Sequence, residues 1–110
     1  MKRGTTLTKP EHFTLVYNEG DTKKDRYLVL KARPNQLEFS RYGISVSKHI
    51  GNAVTRNRIK RLLREILRLS TLSPGWDLIL IARSPAVEAE YQQLSRSIAN
   101  LLSMARVTIK

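Results

Sequence analysis

The 110-residue chain has no cysteine. Disulfide frameworks, thiolate metal sites and thiol nucleophiles are therefore excluded. Its two histidines, His12 and His49, stand far apart in sequence, with no partner at metal-ligand spacing. Gly43 and Gly51 are isolated, so no glycine-rich loop is built to cradle a phosphate. No apolar run approaches the roughly 20 residues of a membrane span. The opening MKRGTTLTKPEHF begins basic with no apolar stretch behind it, which predicts no secretory signal and a cytoplasmic protein. Ser45 and Ser47 lack a base at a recognisable spacing. Asp77 opens an apolar run, where an edge or capping role is expected. No catalytic residue and no protein-held metal are expected.

Negative charge is also scarce. Nine Asp and Glu face 20 Lys and Arg, for a net charge of +11. Such an excess repels itself in the folded state and asks for a polyanionic partner, either nucleic acid or an anionic membrane surface. The apolar fraction of 41 % is that of a globular protein. The length predicts one domain over residues 1–110, with 1–7 as a loose basic arm.

What is present has a readable order. Thr8-Lys9-Pro10-Glu11 reads as a capping box opening a short helix. Phe13, Val16 and Tyr17 share one face of that helix, and Gly20 is its stop. DTKKD (21–25) reads as a polar loop. Residues 26–32 are strand-like, and Pro34-Asn35 marks a turn. From Leu37 to Ser47 the chain reads as extended, with Tyr42, Ile44 and Val46 alternating with Gly43, Ser45 and Ser47. A helix is predicted over about 53–69, capped by Asn52 or Thr55. Pro74-Gly75 breaks the chain before the continuous apolar run 76–82, a strand covered on both faces. A last helix is predicted over 88–105, with Tyr91, Leu94, Ile98, Leu101, Leu102 and Ala105 on one stripe. The order α-β-β-α-β-α predicts an α+β sandwich, with about three helices packed on a sheet.

The predicted helix at 53–69 carries the strongest signal. Five of the ten residues from Arg56 to Glu65 are Arg or Lys. At about 100° per residue, Arg56, Asn57, Lys60, Arg61, Arg64 and Arg68 fall on one arc. Ile59, Leu62, Leu63, Ile66 and Leu67 fall on the other. The aliphatic arc docks on the sheet. Arg58 lies away from the basic arc, so it either reaches round the helix end or bonds a loop. Arg56, Lys60, Arg64 and Arg68 form an i, i+4 ladder of like charges, which costs a few tenths of a kcal/mol per pair in a free helix. A solvated face is one reading; a compensating anion is the other. The preference for Arg favours phosphate, whose geometry the guanidinium fork matches. Phe13 and Tyr17 either pack in the core or stack unpaired bases. Trp76 is expected in the core or as a lid on its edge.

These residues resemble a known family. SVSKHIGNAVTRNRIKRLLRE (45–65) is similar to the signature of the bacterial ribonuclease P protein subunit. LTKPEHF, RYLVL, DLILIARSPA and the helix ending in LLSMA fit the same pattern, so the resemblance spans essentially the whole chain. It implies a mixed four-stranded sheet packed with about three helices and a left-handed βαβ crossover, against the usual right-handed rule. It also implies a catalytic RNA partner that holds the active site and the catalytic Mg2+, and cleavage of precursor tRNA to give the mature 5′ end. The leader of the precursor would lie in a cleft between the sheet and the first helix. By the resemblance, Arg56, Asn57, Arg58, Lys60, Arg61 and Arg64 contact RNA and support metal binding near the cleavage site. Lys48 falls in the basic loop before the helix, and Phe13 and Tyr17 stand at aromatic cleft positions. Lys31 replaces a cleft aromatic of some members, which turns stacking into a phosphate contact. His49 stands where Lys is frequent. No membrane and no protein partner is implied.

Three other readings stay open on sequence grounds. Residues 56–68 could read a DNA major groove, although neither a dimerisation element nor a partner helix at a tight turn is visible. The same helix could lie on a membrane, at the cost of removing its aliphatic arc from the core. A stand-alone protein nuclease is the third, with His12 and His49 as the pair for general acid/base cleavage of RNA, although they stand far apart in sequence.

Overall fold

A computed structural model describes residues 5–107; residues 1–4 and 108–110 lie outside the described set. The chain runs β1 (Thr5–Thr6), α1 (Pro10–Glu19), β2 (Asp21–Lys24), β3 (Leu28–Pro34), β4 (Arg41–Ser45), α2 (Ala53–Leu69), β5 (Trp76–Ala82) and α3 (Tyr91–Met104). Short 3-10 turns at Lys48–Ile50 and Ser84–Glu88 precede α2 and α3. The sheet order is β1-β4-β5-β3-β2. β1 and β5 run parallel to β4, while β3 runs antiparallel to β5 and β2. The architecture is the expected helix-on-sheet sandwich with a mixed sheet, but with five strands rather than four.

The two strands that the sequence hid have clear reasons for hiding. β2 covers most of the stretch read as the loop DTKKD. It is an edge strand with polar residues on both faces, so it lacks the apolar alternation that betrays a strand, and its lysines suit an unpaired edge. β1 is two residues long, with Thr5 and Thr6 paired to Arg41 and Tyr42. Of the stretch read as a basic arm, 1–4 lie outside the described residues, while Leu7 is buried beside Val16 and Ile79.

The capping box does not form. Lys9, not Thr8, is the N-cap of α1, and no side chain caps it. The cause is Pro10. Its fixed φ suits the first helical position, and its ring forces the residue before it to be extended, which places the cap one residue beyond Thr8. Gly20 ends the helix as expected. β4 begins only at Arg41; Asn35 organises the preceding loop by accepting from the Leu37 N–H (2.8 Å) and donating to the Phe39 carbonyl (3.3 Å).

The bounds of α2 agree with the sequence reading. The Asn52 side chain accepts from the Thr55 N–H at 2.9 Å. Asn52→Ala is therefore expected to cost about 1 kcal/mol, read as a lower denaturant midpoint at unchanged m-value. Ile59, Leu63, Ile66 and Leu67 are buried against the sheet, with Leu62 half-buried at their margin. α3 starts later than expected, where Gln93 Oε1 accepts from the Glu90 N–H. Its Leu94, Ile98, Leu101 and Leu102 join the same core.

Side-chain alternation divides the sheet into two faces. Leu28, Leu30 and Ala32 of β3 and Leu78, Leu80 and Ala82 of β5 face α2 and α3. Ile79 turns to the other face, where Leu7, Val16 and Phe13 pack on it. α1 thus covers the second face alone.

Both described chain ends are fastened at one end of the sheet. The Thr5 N–H donates to the Ser40 carbonyl (2.8 Å), and the Ser73 N–H to the Val107 carbonyl (2.6 Å). The Ser40 hydroxyl in turn donates to the Ser73 carbonyl at 2.6 Å.

Candidate RNA interface

The register of β3, β4 and β5 builds a groove beside α1. Paired residues share a face, which gives three cross-sheet rows: Arg41–Asp77–Arg33, Gly43–Ile79–Lys31 and Ser45–Ile81–Val29. α1 lies over the first two. His12 reaches Arg41, Glu19 pairs with Arg33 at 3.0 Å, Val16 packs on Ile79, and Phe13 sits on Gly43. The row Ser45–Ile81–Val29 is left half-buried as the floor of an open groove. Phe13 and Tyr17 stand on α1, one turn apart, and Tyr17 is 39 % exposed.

Gly43 sets how deep Phe13 sits. A Cβ there would lie 2.5 Å from Phe13 Cζ, far inside contact distance. The ring rests on backbone that only glycine leaves bare. Gly43→Ala is expected to lift the ring, because a ring edge can tilt while the sheet cannot move. Single-stranded RNA affinity should fall several-fold, with a stability cost of about 1 kcal/mol. Fluorescence anisotropy with a short labelled single strand, beside a thermal melt, separates the two effects.

Lys31 lies on the groove side of the sheet and donates to Thr22 Oγ1 at 2.8 Å. Its ammonium is drawn towards the β2 edge, with two of its three donors left for a phosphate. Arg41 was not singled out by the sequence. Its Nε and Nη2 bind both oxygens of Asp77 at 2.8 and 2.7 Å, and its Nη1 donates to His12 Nδ1 at 3.1 Å. Asp77 is only 2 % exposed and also accepts from Asn35 Nδ2. The group at the head of β5 is therefore a buried ion pair holding α1 to the sheet. Its signal was visible: a carboxylate heading a strand covered on both faces needs a cation partner.

The basic helix is positioned by the turn that follows β4. The chain leaves Ser45 at the open end of the groove and turns through Lys48 and His49 into α2. Lys48, Asn57, Arg61, Arg64 and Arg68 are exposed; Arg56, Arg58 and Lys60 are half-buried. Arg56, not Arg58, makes the structural bond to the preceding loop, from Nε to the Gly51 carbonyl at 3.1 Å. Among the described residues the only ion pairs are Arg33–Glu19 and Arg41–Asp77. Among these residues no cation of α2 is neutralised within the protein, not even by Glu65. Arg64 and Phe13 line one small pocket with Thr6, Leu7, Tyr42, Gly43 and Ile44 at the β4 edge. The basic helix and the aromatic side of the groove are thus joined round that edge.

Among the described residues, no group of three or more His, Cys, Asp or Glu is placed to hold a metal ion. None of the described helices is long and apolar enough to cross a membrane.

Comparison with known proteins decides the family. The Ribonuclease P family model matches residues 1–106. The chain belongs to the ribonuclease P protein family. A Ribonuclease P protein component of Dehalococcoides mccartyi is 43 % identical over 110 residues, covering 100 % of this chain and 92 % of that protein. One from Caldanaerobacter subterraneus is 45 % identical over 100 residues, covering 89 % and 86 %. The Staphylococcus aureus RNase P protein structure superposes with a TM-score of 0.87 at 34 % identity, covering 97 % of this chain and 100 % of that one. As a member of this family the chain is a subunit of ribonuclease P.

Proposed function

We propose that the chain binds the catalytic RNA subunit of ribonuclease P through the basic face of α2, and the 5′ leader of precursor tRNA in the groove beside α1. The observation that carries this reading is the cation set of α2, which has no acidic partner among the described residues and meets the groove at Arg64. Lys48, Arg56, Asn57, Arg58, Lys60, Arg61, Arg64 and Arg68 form the phosphate-facing set, whose guanidinium and ammonium groups contact the backbone and not the bases. Phe13 and Tyr17 stack leader bases and Lys31 meets a leader phosphate. An aromatic groove of this kind holds a single strand with little sequence preference, because every base has a π-face.

In this reading the RNA subunit holds the catalytic Mg2+ and performs magnesium-dependent hydrolysis of the precursor in the cytoplasm. The protein's own part is to lower the repulsion between two polyanions, so that fewer magnesium ions are needed to dock precursor on catalytic RNA. The deciding experiment assays precursor-tRNA cleavage with protein alone, RNA subunit alone and both. The expected results are no cleavage, cleavage only at high magnesium, and efficient cleavage at low magnesium. Cleavage by protein purified free of RNA would overturn the assignment of catalysis to the RNA.

A further inference from the structure

A second basic site stands apart from α2. It lies between the β2–β3 turn and α3, lined by Asp25, Arg26, Tyr27, Gln93, Arg96, Ser97 and Asn100. Its one carboxylate, that of Asp25, is held by three hydrogen bonds from the protein. Asp25 Oδ1 accepts from the Tyr27 and Leu28 N–H groups at 2.9 and 3.0 Å, and Oδ2 accepts from the buried Ser97 hydroxyl at 2.5 Å. Gln93 Nε2 donates to the Tyr27 oxygen at 3.2 Å, which leaves the Tyr27 O–H free to donate outward. The Arg26 guanidinium lies 5.7 Å from the centre of the Tyr27 ring. Arg26 and Arg96 are exposed, and neither makes an ion pair among the described residues.

The pocket therefore sets a rich group of donors, two guanidinium groups, a phenol O–H and the Asn100 amide, against a single hydrogen-bonded carboxylate. Such a set fits an anion with several oxygens. The surroundings point to the same ligand. α3 contains no Asp or Glu, and its exposed residues include Gln92, Gln93, Arg96 and Asn100. Amide side chains both donate and accept, which suits ribose hydroxyls beside phosphates.

Topology places the pocket where one large polyanion could reach it together with α2. β4 and β5 run parallel, and Leu28 pairs with Ala82, so the β2–β3 turn lies at the sheet end where β4 and β5 finish. Lys48 and the start of α2 leave β4 at that same end. Arg83, just after β5, donates from Nη1 to the Asp25 carbonyl and from its backbone N–H to the Tyr27 carbonyl, which fixes the turn.

We propose that this pocket takes a phosphodiester of RNA, as a second contact independent of the basic helix. The inference rests on the RNA-binding reading above. Two probes test it on the full chain. Inorganic phosphate, titrated into isotope-labelled protein, should shift the Arg26 and Arg96 Nε–H signals and the Asn100 side-chain amide saturably. The ribonuclease P RNA of the same organism should bind the R26A/R96A variant with a log–log salt slope shallower by roughly 0.7–0.9, the value for one lost phosphate contact. The variant should melt at the wild-type temperature, because both arginines are exposed and make no ion pair among the described residues.

A shallower slope supports the contact. Saturable phosphate shifts with an unchanged slope would mean that the pocket takes free phosphate only, which overturns the RNA contact. Neither effect overturns the site altogether. Failure of the broader reading is read separately, as wild-type protein with no salt-dependent affinity for that RNA.

Discussion

Replacing Arg61, Arg64 and Arg68 together by alanine is expected to cut affinity for the ribonuclease P RNA by on the order of a hundredfold at low salt, and to flatten the log–log salt slope by about 2 to 3. All three are exposed on α2 and none has an acidic partner among the described residues. Their removal therefore takes away the proposed phosphate contacts without breaking an ion pair among the described residues. The thermal midpoint should hold or rise slightly, because part of the like-charge ladder is relieved. Reconstituted precursor cleavage should suffer most at low magnesium and recover as magnesium rises, since divalent counterions replace the lost neutralisation. Arg56 is left out of this set deliberately, because its bond to the Gly51 carbonyl would mix folding with binding. If the triple variant keeps the wild-type salt slope, α2 is not the phosphate-contacting face.

Asp77→Ala is expected to be the most destabilising single change, at about 3–5 kcal/mol. The carboxylate is 2 % exposed and takes two bonds from Arg41 and one from Asn35. Removing it leaves a partly buried guanidinium without its counter-charge, which costs far more than the net contribution of the pair. A fall in melting temperature of roughly 15 °C corresponds to the lower figure. The double variant R41L/D77L separates the two terms: apolar replacement of both partners should recover most of the loss. Arg41 also holds His12, so Asp77→Ala should loosen α1 from the sheet and raise amide exchange in α1 before the rest of the fold. A melt within about 2 °C of wild type, equivalent to well under 1 kcal/mol, would sink this account.

The sequence was legible where one physical signal dominated. The split of aliphatic and basic residues on α2, and the unbroken apolar run of β5, set both elements to their observed bounds. β2 was hidden because an edge strand need not alternate, and β1 because two residues carry no period. The Thr8-x-x-Glu11 pattern points to a cap at Thr8, but Pro10 moves the cap to Lys9. The groove itself could not be read. It arises from register, which leaves Ser45, Ile81 and Val29 uncovered while Gly43 lies under Phe13. The loop bond was assigned by angle to Arg58 as one option, but Arg56 makes it, because a first-turn side chain folds back over the helix start. Resemblance to a family supplied the class of partner; charge alone had stopped at a polyanion.

The fastening of Thr5 to Ser40, of Val107 to Ser73, and of Ser40 to Ser73 has a practical consequence for measurement. Both ends of the described chain depart from the side of the sheet where β4 and β5 begin, while the groove and the start of α2 open where those strands finish. A biotin, affinity handle or fluorophore joined beyond either described end would leave the groove mouth and the start of α2 pointing away from a sensor surface. Immobilisation through an engineered cysteine in the turn at Lys48–Ile50 would instead crowd the start of α2 against the surface.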